Sequence, residues 1–403
     1  MKLLLYIAIT LALFATLPVV TVLGIKVLYV FTYSLIMILA IVNIFTNRYL
    51  FITRTGKYDL SIITTFWIII WGLLMLILKI GFNDYNGSRD LLYFLIVPML
   101  VFLLLDSQNS NTKKKIANII LFFLVVECFL ATLEFMLNYN FFNEIRNFDS
   151  ELVDFGFGEF RSTAFLGNPL ANALCVSIMM GFILTSSMKL YKKIFFLLIG
   201  HIALLSFNGR GALLVWTFID FIFIISVLRI QKLRPVAAFT IIISTTIVAF
   251  VLYFLMENYG FGGRLVNTSV VDGSTQVRLQ LEGSFEQLNG MDFLFGSSEK
   301  YLSVLSKGTA VGSENLAVAL IFKYGIIAFL VMFCLYFFWI KAIIKSQTLF
   351  HKIIILSSFI VVGSTNNGLT DFTPWLFFVL CTTMLSTSTD TWNYKMNRQI
   401  FKR

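Results

Sequence analysis

Residues 60–80 read LSIITTFWIIIWGLLMLILKI, twenty-one consecutive positions in which Lys79 is the single charge. An α-helix rises about 1.5 Å per residue, so roughly twenty apolar residues match the ~30 Å hydrocarbon core of a bilayer. The apolar residues follow neither the spacing of a half-buried helix nor the alternation of a strand; they form a block. Working outward, similar blocks lie at 3–23, 27–46, 90–105, 116–137, 167–188, 194–208, 211–228, 235–256, 314–340, 353–366 and 374–388. With 60–80 they make twelve expected transmembrane helices, and the fold class they predict is an all-α polytopic membrane protein.

Composition agrees. Of 403 residues 58% are hydrophobic and 13% charged, against about a quarter charged in soluble domains, so no sizeable soluble domain is expected. The 44 phenylalanines read as lipid-facing surface. The run after Met1-Lys2 is too long for a signal-peptide core and has no small-x-small cleavage site after it; it reads as the first helix.

The net charge of +10 does not point to nucleic acid, because the basic residues sit in short loops between apolar blocks. Loops on one side, such as Lys113-Lys114-Lys115 and Arg229 to Arg234, collect about twenty Lys and Arg against the acids Asp59, Asp106 and Asp390. The other side holds about ten basic residues and about fifteen acids. That bias places both termini in the cytoplasm. The expected organisation is helices 1–5 over residues 1–137, an outer loop at 138–166, helices 6–9 over 167–256, a large outer loop at 257–313, and helices 10–12 with a cytoplasmic tail over 314–403. Within the large loop, Gln276–Asn289 has apolar spacing suited to a short amphipathic helix at the membrane surface.

Cys128, Cys175, Cys334 and Cys381 all fall inside apolar blocks without a CxxC pair, and read as small core residues. His201 and His351 are isolated in sequence, so no metal site is expected. No P-loop or dinucleotide fingerprint is present, and no cofactor is expected.

Ionisable groups held near the bilayer mark function in membrane proteins. Arg161 precedes Gly167-Asn168-Pro169, where Asn caps a helix and Pro fits its first turn, leaving free amides as a seat for an anion. Arg210 lies in the short outer turn Asn208-Gly209-Arg210-Gly211. Arg264 and Arg278 lie in the large loop, and Glu314-Asn315 stands at the next helix entry. Four arginines on the outer face suit a pyrophosphate, which guanidinium grips bidentately at any pH. Inside the spans, Glu127 and Glu134 are seven apart on one helix face, with Asp220 and Lys323 elsewhere; ion pairs between helices are expected, and Glu134 lies near the outer end, within reach of a substrate.

The order of these pieces resembles the O-antigen ligase and polymerase family. Its members show an Arg, a Gly-x-x-Asn-Pro-like helix entry, and a helix pair closing in a Ser-Arg-Gly-like turn. A large periplasmic loop with arginines follows, then His-Asn or Glu-Asn, then a Gly-Ile-like step. The matches are Arg161 with Gly167-Asn168-Pro169, Asn208-Gly209-Arg210-Gly211, Arg278 followed by Asp292-Phe293-Leu294-Phe295-Gly296 (similar to the family's P-L-x-G-x-G segment), Glu314-Asn315, and Tyr324-Gly325-Ile326-Ile327. The resemblance covers about residues 160 to 330. Glu314 stands where the family's ligases resemble one another in a His, which argues for polymerase; Leu170 and Gly209 stand where the family often has Asn and Ser.

What the resemblance implies is a cofactor-free, metal-independent polymerase. Its donor and acceptor would be undecaprenyl-diphosphate-linked oligosaccharides of O-antigen, capsule or another exopolysaccharide. It would work at the periplasmic face of the bacterial inner membrane, among membrane lipids and with a chain-length regulator as possible partner. Arg161, Asn168, Arg210, Arg264 and Arg278 would hold the pyrophosphate, and Arg210, Arg278 and Glu314 would act in the reaction. The alternatives are a ligase of the same family and a lipid-linked oligosaccharide flippase or other transporter. The concentration of charge in one outer loop, rather than through the bilayer, counts against the transporters.

Overall fold

A computed structural model describes residues 2–46, 59–142, 160–230, 250, 253–254, 256–258, 261, 288–299, 316–365, 369 and 373–385. All regular structure among them is helical. In chain order the helices are α1 (Lys2–Phe14), α2 (Leu17–Val22), α3 (Lys26–Thr46), α4 (Leu60–Gly81), α5 (Tyr85–Asp106), α6 (Ser110–Leu137), α7 (Pro169–Thr185), α8 (Leu190–Ser206), α9 (Arg210–Ile230), α10 (Gly290–Phe295), α11 (Leu316–Ile343), α12 (Leu349–Ser364) and α13 (Thr373–Leu385).

Among the described residues, α3, α4, α5, α6 and residues 317–343 of α11 are long and apolar enough to cross a membrane. Their outer faces expose large apolar side chains such as Val27, Phe31, Ile77, Phe129 and Phe333. Soluble proteins rarely carry so much contiguous apolar surface, and here it forms the lipid-facing girdle of an all-α membrane protein. The expected single span at 3–23 is broken instead. Thr16 has extended backbone ahead of Pro18, and its Oγ1 bonds to Phe165 O, so α1 ends and α2 starts afresh. The expected spans at 194–208 and 211–228 are helical as α8 and α9, and the span at 235–256 lies almost wholly outside the described residues.

The caps are those the sequence offers. Asp59, Asn109 and Thr348 accept from the backbone N–H of Ser61, Thr112 and His351, satisfying first-turn amides of α4, α6 and α12. Pro98 within α5 cannot donate to the carbonyl four residues before it. The chain answers with a π-helical turn over Leu92–Ile96, and the released Phe94 carbonyl receives the Tyr336 hydroxyl at 3.5 Å.

α7 is buried on every side, with Leu170 alone among its residues not buried. It packs against α8, α9 and α12. The crossing with α12 is close, since a Cβ on Gly181 would overlap Ser358 Oγ. Beside it, α13 supplies an aromatic hub: Trp375 meets Tyr336 and Phe359, Phe377 meets Phe123, and Phe378 meets Phe182 and Trp339. Cys128, Cys175 and Cys381 are buried as expected, whereas Cys334 faces outward.

Candidate functional site

The entry to α7 is a compact turn over residues 160–168, held by side-chain and backbone groups from other parts of the fold. Asn168 is exposed and caps α7 through Oδ1, which accepts from Leu170 N at 2.9 Å. Gly167 has φ +69° and stands against Pro18, whose Cγ would lie 2.5 Å from an added Cβ. Ser162 N donates to Ser206 O at 3.1 Å, and Arg161 Nε donates to Phe207 O at 3.0 Å. Both acceptors belong to the α8–α9 turn, where Asn208 takes φ +55° and Arg210 opens α9. That turn is wedged in place: a Cβ on Gly209 would lie 3.1 Å from Ala173 Cβ, and one on Gly211 would lie 2.5 Å from Thr365 Oγ1. Arg161, Asn168 and Arg210 thus gather at one end of the bundle, and the two arginines are partly exposed there. Arg264, Arg278 and Glu314 lie outside the described residues, as does most of the amphipathic stretch at 276–289.

The organising group of this turn is Glu134, which is fully buried. Its Oε2 accepts from Ser162 Oγ at 2.6 Å, Thr163 N at 2.9 Å and Ala164 N at 2.8 Å, while Oε1 accepts from Phe141 N at 2.9 Å. Charge-assisted bonds of this kind are about twice as strong as neutral ones. The expected roles of Glu134, an interhelical ion pair or a substrate contact, are therefore corrected: its oxygens are taken by backbone and Ser162. Ala164, at φ +37°, can hold a left-handed conformation because its N–H is fixed this way. The available signal was a carboxylate in an apolar helix with no basic residue within two turns.

The pairing expectation holds for Asp220 and Lys323. Asp220 Oδ2 lies 2.8 Å from His201 Nε2 across α8 and α9, and Lys323 Nζ lies 3.7 Å from Asp90 Oδ2. His201 is therefore not isolated; its Nδ1 also meets Leu197 O at 2.7 Å.

A second cluster joins two segments that the sequence placed thirty residues apart. Asn289 caps α10, and the chain leaves that helix through Gly296 at φ +74°. Gly296 lies against the backbone of Tyr324 and Gly325, and Ser297 N donates to Phe322 O at 2.7 Å. Gly325 breaks α11 at φ +83° and ψ +163°, a region that essentially only glycine occupies. The segment is latched from the α4–α5 turn. Lys79 Nζ, buried to 1% exposure, donates to Asp84 Oδ2 and to Gly296 O, both at 3.0 Å. Asp84 also accepts from Gly87 N at 2.9 Å and Ser298 N at 3.2 Å.

Burial alone would push the Asp84 carboxyl up, but the Gly87 N–H, the Lys79 ammonium and the Ser298 N–H outweigh it and hold it below the ordinary carboxylate value. A depressed carboxyl stabilises the fold above its ordinary value, and that contribution disappears as pH falls through the lowered one. Asp84→Asn is expected to lower the thermal midpoint at neutral pH. Between about pH 6 and about pH 3 it should lose less further stability than wild type. Thermal unfolding of both proteins across that range checks this, and parallel pH curves would refute it.

No model of a known family matches the chain, and no curated protein matches it either. No group of three or more His, Cys, Asp and Glu side chains is placed to hold a metal ion among the described residues.

Proposed function

We propose that this protein is a glycosyltransferase that joins polyprenyl-diphosphate-linked oligosaccharide repeat units at the periplasmic face of the bacterial inner membrane, with both termini cytoplasmic. One observation carries the reading: Arg161 is tied by its Nε to the turn that presents Arg210, beside the first turn of α7. Two guanidiniums then stand at the same end of the bundle, beside the start of α7, where the pyrophosphate of a lipid carrier would sit. The meeting of Asp292–Gly296 with Tyr324-Gly325 supports the same reading, because these are the two segments that resemble the family downstream of its loop.

In this reaction the growing chain is the donor. A hydroxyl of the incoming unit attacks the anomeric carbon, the bond from that carbon to the pyrophosphate breaks, and the hydroxyl proton passes to a base, for which Glu314 is the candidate. The leaving diphosphate gathers negative charge, which Arg161, Arg210 and Arg278 stabilise more in the transition state than in the bound donor. Asn168 fixes the start of α7 next to that charge, and Arg264 completes the basic set on the loop side.

The test is deletion of the gene in its own bacterium, complementation with wild type, Arg210→Ala or Arg278→Ala at matched membrane levels, and separation of the surface glycan on a gel. Deletion should collapse the ladder of repeats to a single capped unit. Removing one charge-stabilising donor costs about 100-fold or more in rate, so neither variant should restore the ladder. Lipid-linked single units accumulating inside the cell would identify a flippase. Full-length polymer remaining on its carrier would identify a ligase.

A further inference from the structure

Four hydrogen bonds satisfy Glu134, but Glu127, two turns earlier on the same helix face, is in a different state. Glu127 is 1% exposed; its Oε2 accepts from Phe165 N at 3.4 Å, and its Oε1 has no hydrogen-bond partner among the described residues. Two more oxygens at the same turn are also buried and unpartnered there, Thr163 Oγ1 and Asn172 Oδ1, on residues with no exposure. They belong to one locality. Glu127 reaches the turn from α6 through Phe165 N, Asn172 reaches it from α7 by donating its amide to Thr163 O, and Thr163 is part of the turn itself.

Three oxygens without donors, one of them on a carboxyl group, are buried together there, and an ionised Glu127 would carry a charge that none of the described residues offsets. Neither Glu127 nor Glu134 makes an ion pair among the described residues. Buried charges in proteins are paired or coordinate a cation. All the candidate ligands are oxygens, which select hard cations over zinc or copper. With one carboxylate available, Glu134 being already engaged, the site balances a single positive charge and lacks the carboxylates that a dehydrated divalent ion requires. We infer that Glu127, Thr163 and Asn172 form a binding site for a monovalent alkali cation of sodium size, which fixes the turn carrying Arg161. The inference rests on the buried oxygens and stands whether or not the protein is a polymerase.

The experiment uses the purified full-length chain in detergent. Thermal unfolding is followed with a thiol-reactive dye that reports exposure of Cys128, Cys175 and Cys381, in a Cys334→Ser background that removes the outward-facing thiol. Sodium chloride is titrated against N-methyl-D-glucamine chloride at constant ionic strength. A cation bound only by the folded state raises the midpoint in a saturable way. The expected result is a saturating rise of several degrees with sodium, absent in Glu127→Gln. In Thr163→Val, which keeps the charge and the side-chain shape, half-saturation should move to about tenfold higher sodium, the worth of one weak ligand. Equal midpoints in the two salts would overturn the site and leave a water or a proton on Glu127. So would a sodium response that both variants retain. If Glu127→Gln does not fold, Thr163→Val decides alone.

Discussion

Glu134→Ala is expected to destabilise the protein more than any other single removal of a side-chain charge, by about 3–6 kcal/mol. The truncation removes the acceptor of four hydrogen bonds at once and leaves the fully buried Ala164 N–H and the Ser162 hydroxyl without the oxygen they bonded. Each orphaned buried donor costs about 1–3 kcal/mol, while Thr163 N keeps a second acceptor, Asn140 Oδ1 at 3.0 Å. Glu134→Gln is the sharper probe. It keeps the volume and one carbonyl oxygen but turns an NH2 toward groups that are themselves donors, so it should recover less than half of the loss. Thermal unfolding in detergent, with the glycan ladder as a second readout, checks both variants. A Gln variant as stable as wild type would mean that the carboxylate does not hold the turn. The loss should also propagate to Arg161, whose neighbour Ser162 bonds Glu134, and therefore to the placement of the two arginines.

The sequence discloses the elements of this molecule better than their meeting points. Blocks of apolar residues separated by loops of biased charge locate the long helices, because burial in lipid imposes the same requirement on every position of a span. The Asn168-Pro169 start of α7 is equally legible, since capping is a local interaction. The break at Thr16 was hidden by continuous hydrophobicity, although Pro18 marked it; what fixes it is a hydroxyl bonding a carbonyl 149 residues away. Arg161 and Arg210 could be nominated one at a time, but nothing in the chain places Arg161 on the Phe207 carbonyl. Glu127 and Glu134 looked like halves of ion pairs because in sequence a buried carboxylate shows its charge and not its donors. All the donors but the Ser162 hydroxyl turned out to be backbone amides, which every residue except proline carries and which no composition or spacing can reveal.

The second large effect is expected at Gly325. At φ +83° and ψ +163° an alanine is strained by about 1–3 kcal/mol before any contact is considered. Its Cβ would also overlap the carbonyl of Leu294, which belongs to backbone and has no rotamer to yield. Gly325→Ala should therefore expel the segment 290–298 from α11, and with it the acceptor that Gly296 O offers to Lys79 and the donor that Ser298 N offers to Asp84. Gly296→Ala attacks the same seam from the opposite strand of contact, where the added Cβ would meet the backbone of Tyr324 and Gly325. Limited proteolysis of membranes should cut near residues 288–299 faster in either variant, and the thermal midpoint should fall in both. Because each substitution alone already opens the seam, the double variant should cost little more than the worse single one, a coupling that independent sites do not show. Additive losses would mean that the two glycines serve separate structures and that the docking of 290–298 on the α11 break is not a unit.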